Sequence, residues 1–241
     1  MTLSNVKEFK NIFTVAETIL TEIKLECDND GMRFRGLDGG HTSFFEANFK
    51  KSYFTSYELD NVDNIIIDTS EINKIFKRIK NDDDISIVID TNFLLIKVSS
   101  EKNEKTFKLN SVDMEYDSPN MPNIEYPVSF TINFKEFKEN VTDANLFEDR
   151  LRMKVESDNL IIFNNSMMGE YESKLKLETS YETTYTSTFS MELINRIFKL
   201  TSLSNEININ MGTDMPMLMT LNDLFEDIEV KFLTAPRIES E

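Results

Sequence analysis

Ten lysines and arginines recur along four short apolar stripes: Lys7, Lys10, Lys74, Lys77, Arg78, Lys80, Lys135, Lys138, Arg196 and Lys199. Cations spaced in this way can hold a polyanion by its phosphates without reading base edges. Their setting is acidic, because the 241-residue chain has 43 aspartates and glutamates against 26 lysines and arginines, a net charge of −17 and a pI near 4.5. The sum alone argues against nucleic acid, which carries one negative charge per about 1.7 Å of duplex axis. The distribution argues for it. Acidic residues crowd the segments between the stripes, as in Asp82-Asp83-Asp84 and the stretch from Asp223 to Glu229, so a polyanion would be held at the stripes and repelled elsewhere. One basic amphipathic helix reads as a solvated face. Four related ones in an acidic chain read as a shared task.

Residues for other chemistries are sparse. His41 is the single histidine, which leaves a histidine-rich zinc site or a histidine-based triad one imidazole at most. Asp28-Asn29-Asp30-Gly31 opens like a calcium loop but lacks the later ligands and terminal glutamate, and reads as a turn between strands. Asp38-Gly39-Gly40 has no phosphate-loop context. The expectation is a non-enzyme with no cofactor and no metal. Cys27 is the only cysteine, which excludes an intramolecular disulfide and fits a small buried apolar residue in a reducing compartment. No apolar run approaches the roughly 18–20 residues of a membrane span, and no signal segment opens the chain. A soluble protein without a membrane partner is expected.

The elements that carry the cations are written twice. Residues 5–10 (N-V-K-E-F-K) return at 133–138 (N-F-K-E-F-K), and 72–77 (I-N-K-I-F-K) return at 194–199 (I-N-R-I-F-K). Glu26-Cys27-Asp28-Asn29 likewise matches Glu156-Ser157-Asp158-Asn159, and Asp84–Ile87 matches Glu206–Ile209. A period this long signals a doubled domain and not a solenoid. Ile72, Ile75, Phe76 and Ile79 fall at i, i+3, i+4 and i+7, one helical face, with Lys74, Lys77 and Lys80 on another. Thr69 or Ser70 is the expected N-cap of this helix, and Ser190 that of its repeat. Between helices the period changes to two, at 65–67, 85–89, 93–98 and 207–211, which predicts strands. The fold class expected is α+β, with each half packing two helices on a mostly antiparallel sheet. Residues 116–126 hold two of the five prolines and no period, an extended connector between domains 1–115 and 127–241. The last eight residues, from Thr234, read as an exposed tail.

At this point the sequence resembles the proliferating-cell nuclear antigen family, the DNA sliding clamps of archaea and eukaryotes, over essentially its full length. The segments that carry the resemblance are Asp30 to His41 (D-G-M-R-F-R-G-L-D-G-G-H), the connector end Pro122-Asn123-Ile124-Glu125-Tyr126, Asp214-Met215-Pro216-Met217, and Leu233 to Glu239 (L-T-A-P-R-I-E). Tail and connector look more archaeal than animal. The resemblance implies a clamp fold, three subunits in a pseudo-six-fold ring, and helices lining a hole through which duplex DNA runs. It implies a processivity factor that tethers DNA polymerase, clamp loader, flap endonuclease and DNA ligase and catalyses nothing, in the cytoplasm and nucleoid of an archaeon or the nucleus of a eukaryote.

Partners of the family insert a short peptide, with a glutamine and apolar or aromatic anchors, into a pocket beside the connector. By position the resemblance assigns that role to Leu37, His41, Thr42, Phe44, Met121, Pro122, Pro216, Leu233, Ala235, Pro236 and Ile238. Without the resemblance, Leu37, Phe44 and Leu233 read as core. Subunits of the family join edge strand to edge strand, which places Lys102, Lys105, Phe107 and Leu109 against Ser173, Leu175 and Leu177 of the next copy, and removes two sheet edges per chain. The alternative function is a ring-forming or adaptor-type relative that recruits partners without serving the polymerase.

Overall fold

The structure is a computed structural model that describes residues 1–4, 6–59, 64–100, 103–224 and 226–238. Asn5 of the first repeat, Lys102 of the expected edge strand and Glu239 to Glu241 of the tail lie outside the described residues. The chain divides into two units, Met1–Asn120 with Leu224–Val230, and Met121–Asp223 with the segment from Lys231 onward.

The first unit runs β1 (Thr2–Leu3), α1 (Lys7–Ala16), β2 (Glu22–Asp28), β3 (Gly31–Leu37), β4 (Ser43–Lys50), β5 (Asn64–Asp68), α2 (Thr69–Phe76), β6 (Asp84–Ile89), β7 (Phe93–Ser100) and β8 (Asn103–Asn110). Four strands pair antiparallel in the order β5-β2-β3-β4, from Glu22 opposite Asp68 to Leu37 opposite Phe44, and four more in the order β1-β6-β7-β8. The β2–β3 turn forms where Asp28 Oδ1 accepts from the amides of Asp30 and Gly31 at 2.9 and 3.2 Å. Gly31 is required there, since its φ is +151° and a Cβ would stand 2.0 Å from the Phe49 carbonyl oxygen. Alternation in β2 buries Ile23, Leu25 and Cys27 on one face. Against it α1 lays Phe9, Ile12 and Phe13, and the rings of Phe9, Phe13, Phe34, Phe49 and Phe76 form one cluster with neighbouring centroids 4.7–6.4 Å apart. Each such buried ring contributes about 2–3 kcal/mol of transfer free energy. The two helices are tied by Asn73, 1 % exposed, whose amide donates to the Phe13 carbonyl at 2.8 Å.

The second unit runs β9 (Val128–Asn133), α3 (Phe134–Ala144), β10 (Arg150–Ser166), β11 (Gly169–Ser190), α4 (Met191–Ile197) with a 3-10 turn Phe198–Ser202, β12 (Glu206–Met211), β13 (Met217–Leu224) as far as Asp223, and β14 (Ile228–Thr234) from Lys231. Its strands pair in the orders β14-β13-β12-β9 and β10-β11. The pairing repeats the first unit: Arg150 opposes Ser190 as Glu22 opposes Asp68, and Ser166 opposes Gly169 at the far end. The match of Glu156–Asn159 to the β2–β3 turn falls on two register shifts in β10, around Ser157 at φ +55°. The core is leaner in rings, with Phe134 and Phe137 at 6.1 and 5.8 Å from Phe198.

Two sequence expectations need correction, the α2 cap and the start of the tail. The N-cap of α2 is Asp68, because a cap needs extended backbone and an oxygen that reaches the second and third amides. Asp68 has φ −72° and ψ 128° and accepts from Ser70 N and Glu71 N at 2.8 and 3.0 Å. Thr69 is already helical and buried, donating its hydroxyl to the Leu20 carbonyl at 2.7 Å, and Ser70 is likewise helical. Ser190 sits at the cap position of α4 but makes no side-chain capping bond. The tail starts one residue late, since Thr234 closes β14 and is fully buried.

Candidate nucleic-acid interface

The ten cations follow from where each helix spends its apolar face. On α1, Phe9, Ile12, Phe13 and Ala16 point inward, which leaves Lys7 exposed and Lys10 half-buried. Lys10 is spent on structure. Its ammonium donates to the Ile79 carbonyl, just beyond α2, and to Asn81 Oδ1 at 3.1 Å. Burial pulls its pKa below the ordinary lysine value, against the opposing attraction of Asp83. On and after α2, Lys74, Lys77, Arg78 and Lys80 are all exposed. Lys74 lies 2.5 Å from Glu71, and the carboxylate raises its pKa. Among the described residues, the side chains of Lys77, Arg78 and Lys199 have no hydrogen-bond or ion-pair partner.

In the second unit Lys135 is exposed with Glu139 at 3.9 Å, and Lys138 is half-buried. Arg196, 23 % exposed at its side chain, reaches Glu192 at 2.9 Å, and Lys199 stands out from the 3-10 turn. So seven of the ten are exposed, three are half-buried, and Lys74, Lys135 and Arg196 carry an i,i+3 or i,i+4 glutamate. Surface pairs of this kind contribute at most about 0.5 kcal/mol and break readily in favour of a phosphate. The helices therefore offer mobile, weakly held cations suited to contact with any phosphate backbone.

The residues assigned to a partner peptide fall into two groups. In the first unit, Leu37 is 41 % exposed, His41 and Thr42 are exposed, and Phe44 is buried at 1 %. The loop is set by Asp38, which accepts from Thr42 N at 2.7 Å, Ser43 N at 2.6 Å and the Thr42 hydroxyl at 3.0 Å. Burial alone would raise the Asp38 carboxyl; these bonds outweigh it and hold the pKa below the usual carboxylate range. His41 then takes φ +53° and points outward in a turn. In the second unit, Pro122 and Ile238 are exposed, Met121, Pro216, Ala235 and Pro236 half-buried, and Leu233 is 8 % exposed. Phe44 and Leu233 thus pack as core, the reading their apolar type suggests on its own. The tail is pinned by Arg237, whose amide donates to the Thr188 carbonyl at 2.7 Å.

The expected edges are open. β8 pairs with β7 on one side and ends its sheet, with Lys105 exposed and Phe107 and Leu109 half-buried. β11 pairs with β10, placing Leu175 and Leu177 inward and leaving Ser173 Oγ buried without a partner among the described residues. Sequence reasoning missed Asp68, Asn73 and the role of Lys10, which depend on contacts between segments distant in the chain.

Comparison with known proteins agrees with this architecture. The family model for the proliferating cell nuclear antigen N-terminal domain matches residues 1–119, and that for the C-terminal domain matches residues 112–237. The chain is 32 % identical over 239 residues to a DNA polymerase sliding clamp of Methanobrevibacter smithii, covering 99 % of this chain and 98 % of the relative. It is 29 % identical, with the same coverage, to the DNA polymerase sliding clamp of Methanothermobacter thermautotrophicus. Its fold superposes with TM-score 0.90 and 20 % identity on a chain in the structure of the C-terminal region of FEN-1 bound to A. fulgidus PCNA, covering 100 % of this chain and 98 % of that one. By its two matched domains and its full-length relatives, the chain belongs to the proliferating cell nuclear antigen family.

Proposed function

We propose that this chain is a DNA polymerase sliding clamp whose three copies close into a ring around duplex DNA and slide along it. The observation that carries the proposal is the placement of exposed lysines and arginines on α1, α2 and α3 and on the turns that follow α2 and α4, away from the core faces, in a chain of net charge −17. Lys7, Lys74, Lys77, Arg78, Lys80, Lys135 and Lys199 are the phosphate contacts, with Lys138 and Arg196 behind them. Weak contacts suit the task, because a closed ring supplies retention while tight binding would slow sliding. The acidic remainder keeps DNA from other surfaces.

In this reading the clamp performs no catalysis. It tethers DNA polymerase, and by the same peptide mode the clamp loader, flap endonuclease and DNA ligase, in the cytoplasm and nucleoid of an archaeal cell. The peptide-contact role is assigned to Leu37, His41 and Thr42 in the first unit, with Phe44 supporting them from its core, and to Met121, Pro122, Pro216, Ala235, Pro236 and Ile238 in the second, with Leu233 supporting them from its core. Residues 116–126 serve as the inter-domain connector between domains 1–115 and 127–241. Lys105, Phe107 and Leu109 on β8 pair with Ser173, Leu175 and Leu177 on β11 of the next copy, a head-to-tail contact that closes a homotrimer. Primer extension on a singly primed circle tests the proposal: with loader and polymerase present, the chain should lengthen products, and an adaptor that does not serve the polymerase should leave their length unchanged.

A further inference from the structure

The connector leaves the first unit through a short series of anchors. Upstream, Val112 N donates to the Ile66 carbonyl at 2.9 Å. Four residues later the Tyr116 hydroxyl donates to the Arg35 carbonyl on β3 at 3.0 Å, with the Glu22 carbonyl on β2 at 3.4 Å. Two residues on, Ser118 Oγ is buried without a hydrogen-bond partner among the described residues. Among the described residues, positions 119–127 make no hydrogen bond before β9 begins at Val128. Tyr116 is therefore the last connector side chain bonded to the backbone of the sheet. Its seat depends on Gly36, where a Cβ would stand 2.7 Å from the Tyr116 oxygen and 3.0 Å from Leu20 Cδ2. Burial raises the Tyr116 pKa to about 12, ahead of the repulsion from Glu22 and Glu26, so the hydroxyl keeps its donor proton at any physiological pH.

We infer that Tyr116, seated over Gly36, is a positioning residue for partner-peptide binding: it fixes the start of the free stretch that carries Met121 and Pro122, and so lowers the entropic cost when a peptide orders that stretch. The inference rests on the peptide role proposed above. Removing the tether loosens the segment back to Val112, which by loop closure alone changes affinity less than twofold. Loss of the bond that preorganises the stretch brings the total to about two- to tenfold.

The test measures the Kd of a labelled peptide from the C-terminal region of FEN-1 by fluorescence anisotropy, alongside melting temperature and hydrogen exchange over 113–127. Tyr116→Phe should raise Kd about two- to tenfold and speed exchange in the connector, with melting temperature and exchange in β3 unchanged. Gly36→Ala should weaken binding at least as much. The double variant should bind no worse than Gly36→Ala alone, since removing the hydroxyl relieves the clash the new methyl creates. Unchanged Kd in Tyr116→Phe, or effects of the two substitutions that simply add, overturns the positioning role. A parent chain that does not bind the peptide overturns the pocket reading itself, and this inference with it.

Discussion

Lys10 and the trio Lys77, Arg78 and Lys199 look alike in sequence, and the structure separates them into different jobs. Lys10→Met keeps the aliphatic stem and removes the ammonium that donates to Ile79 O and Asn81 Oδ1. A charge-assisted bond at a half-buried site stabilises by about 1–2 kcal/mol, and in a chain of this size each kcal/mol moves the melting temperature about 2–4 °C. Lys10→Met should therefore melt roughly 2–8 °C lower, with little change in DNA affinity. Replacing Lys77, Arg78 and Lys199 together with alanine should do the reverse, because these side chains are unpaired and exposed. Removing one cation from a phosphate lowers the slope of log K against log salt by about 0.9, so removing three lowers it by up to about 2.7 and shrinks the change between 50 and 200 mM salt by about 40-fold. Anisotropy with a short duplex across a salt series reads the slope, and a thermal melt reads stability. The assignment fails if the triple variant melts lower with an unchanged slope, or if Lys10→Met flattens the slope as much as the trio does.

Three further outcomes follow from the geometry. Asp68→Ala should cost about 1 kcal/mol through the missing helix cap. The Ser70 hydroxyl and the Glu71 amide hold the Asp68 pKa down, so its stabilisation is full above the unfolded value of about 3.9 and disappears as pH falls through the lower folded value; the melting curves of variant and parent should converge in acid. Phe13→Ala should cost about 3–5 kcal/mol, since Phe13 is fully buried against Phe9, Phe34 and Phe76 at 4.7, 4.8 and 5.2 Å, and should exceed Phe198→Ala, whose ring neighbours stand at 5.8 and 6.1 Å. Phe107→Asp, on the open edge β8, should leave the fold intact and reduce the native mass to the 28.1 kDa of one chain; a mass unchanged from the parent's would remove β8 from the subunit contact.

The duplication was legible because helix stripes and strand alternation are local patterns, and the repeated segments fall on α1 and α3 and on α2 and α4, the last running on into a 3-10 turn. Ile72 and Phe76 are buried as their spacing requires, and Lys74 and Lys77 are exposed. What stayed hidden depends on pairs far apart in the chain. No local signal says that Lys10 will meet Ile79, that Asn73 will bond Phe13, or that Gly36 leaves room for Tyr116 eighty residues later. Asp68 was missed for a smaller reason: it closes a strand and caps a helix at once, so the period changed on the residue that mattered. Phe44 and Leu233 show the converse, since apolar type alone points to core and burial agrees, while any role with a peptide passes through their neighbours.

Retention on circular against linear DNA tests the central claim most directly. The purified chain is loaded onto nicked circular DNA, excess protein is removed by gel filtration, and half the sample is cut once with a restriction enzyme. A sliding clamp remains with the circle and runs off after cutting, because topology and not affinity holds it. Equal retention on both forms would mean ordinary DNA binding, and no retention on the circle with a competent loader would contradict the account.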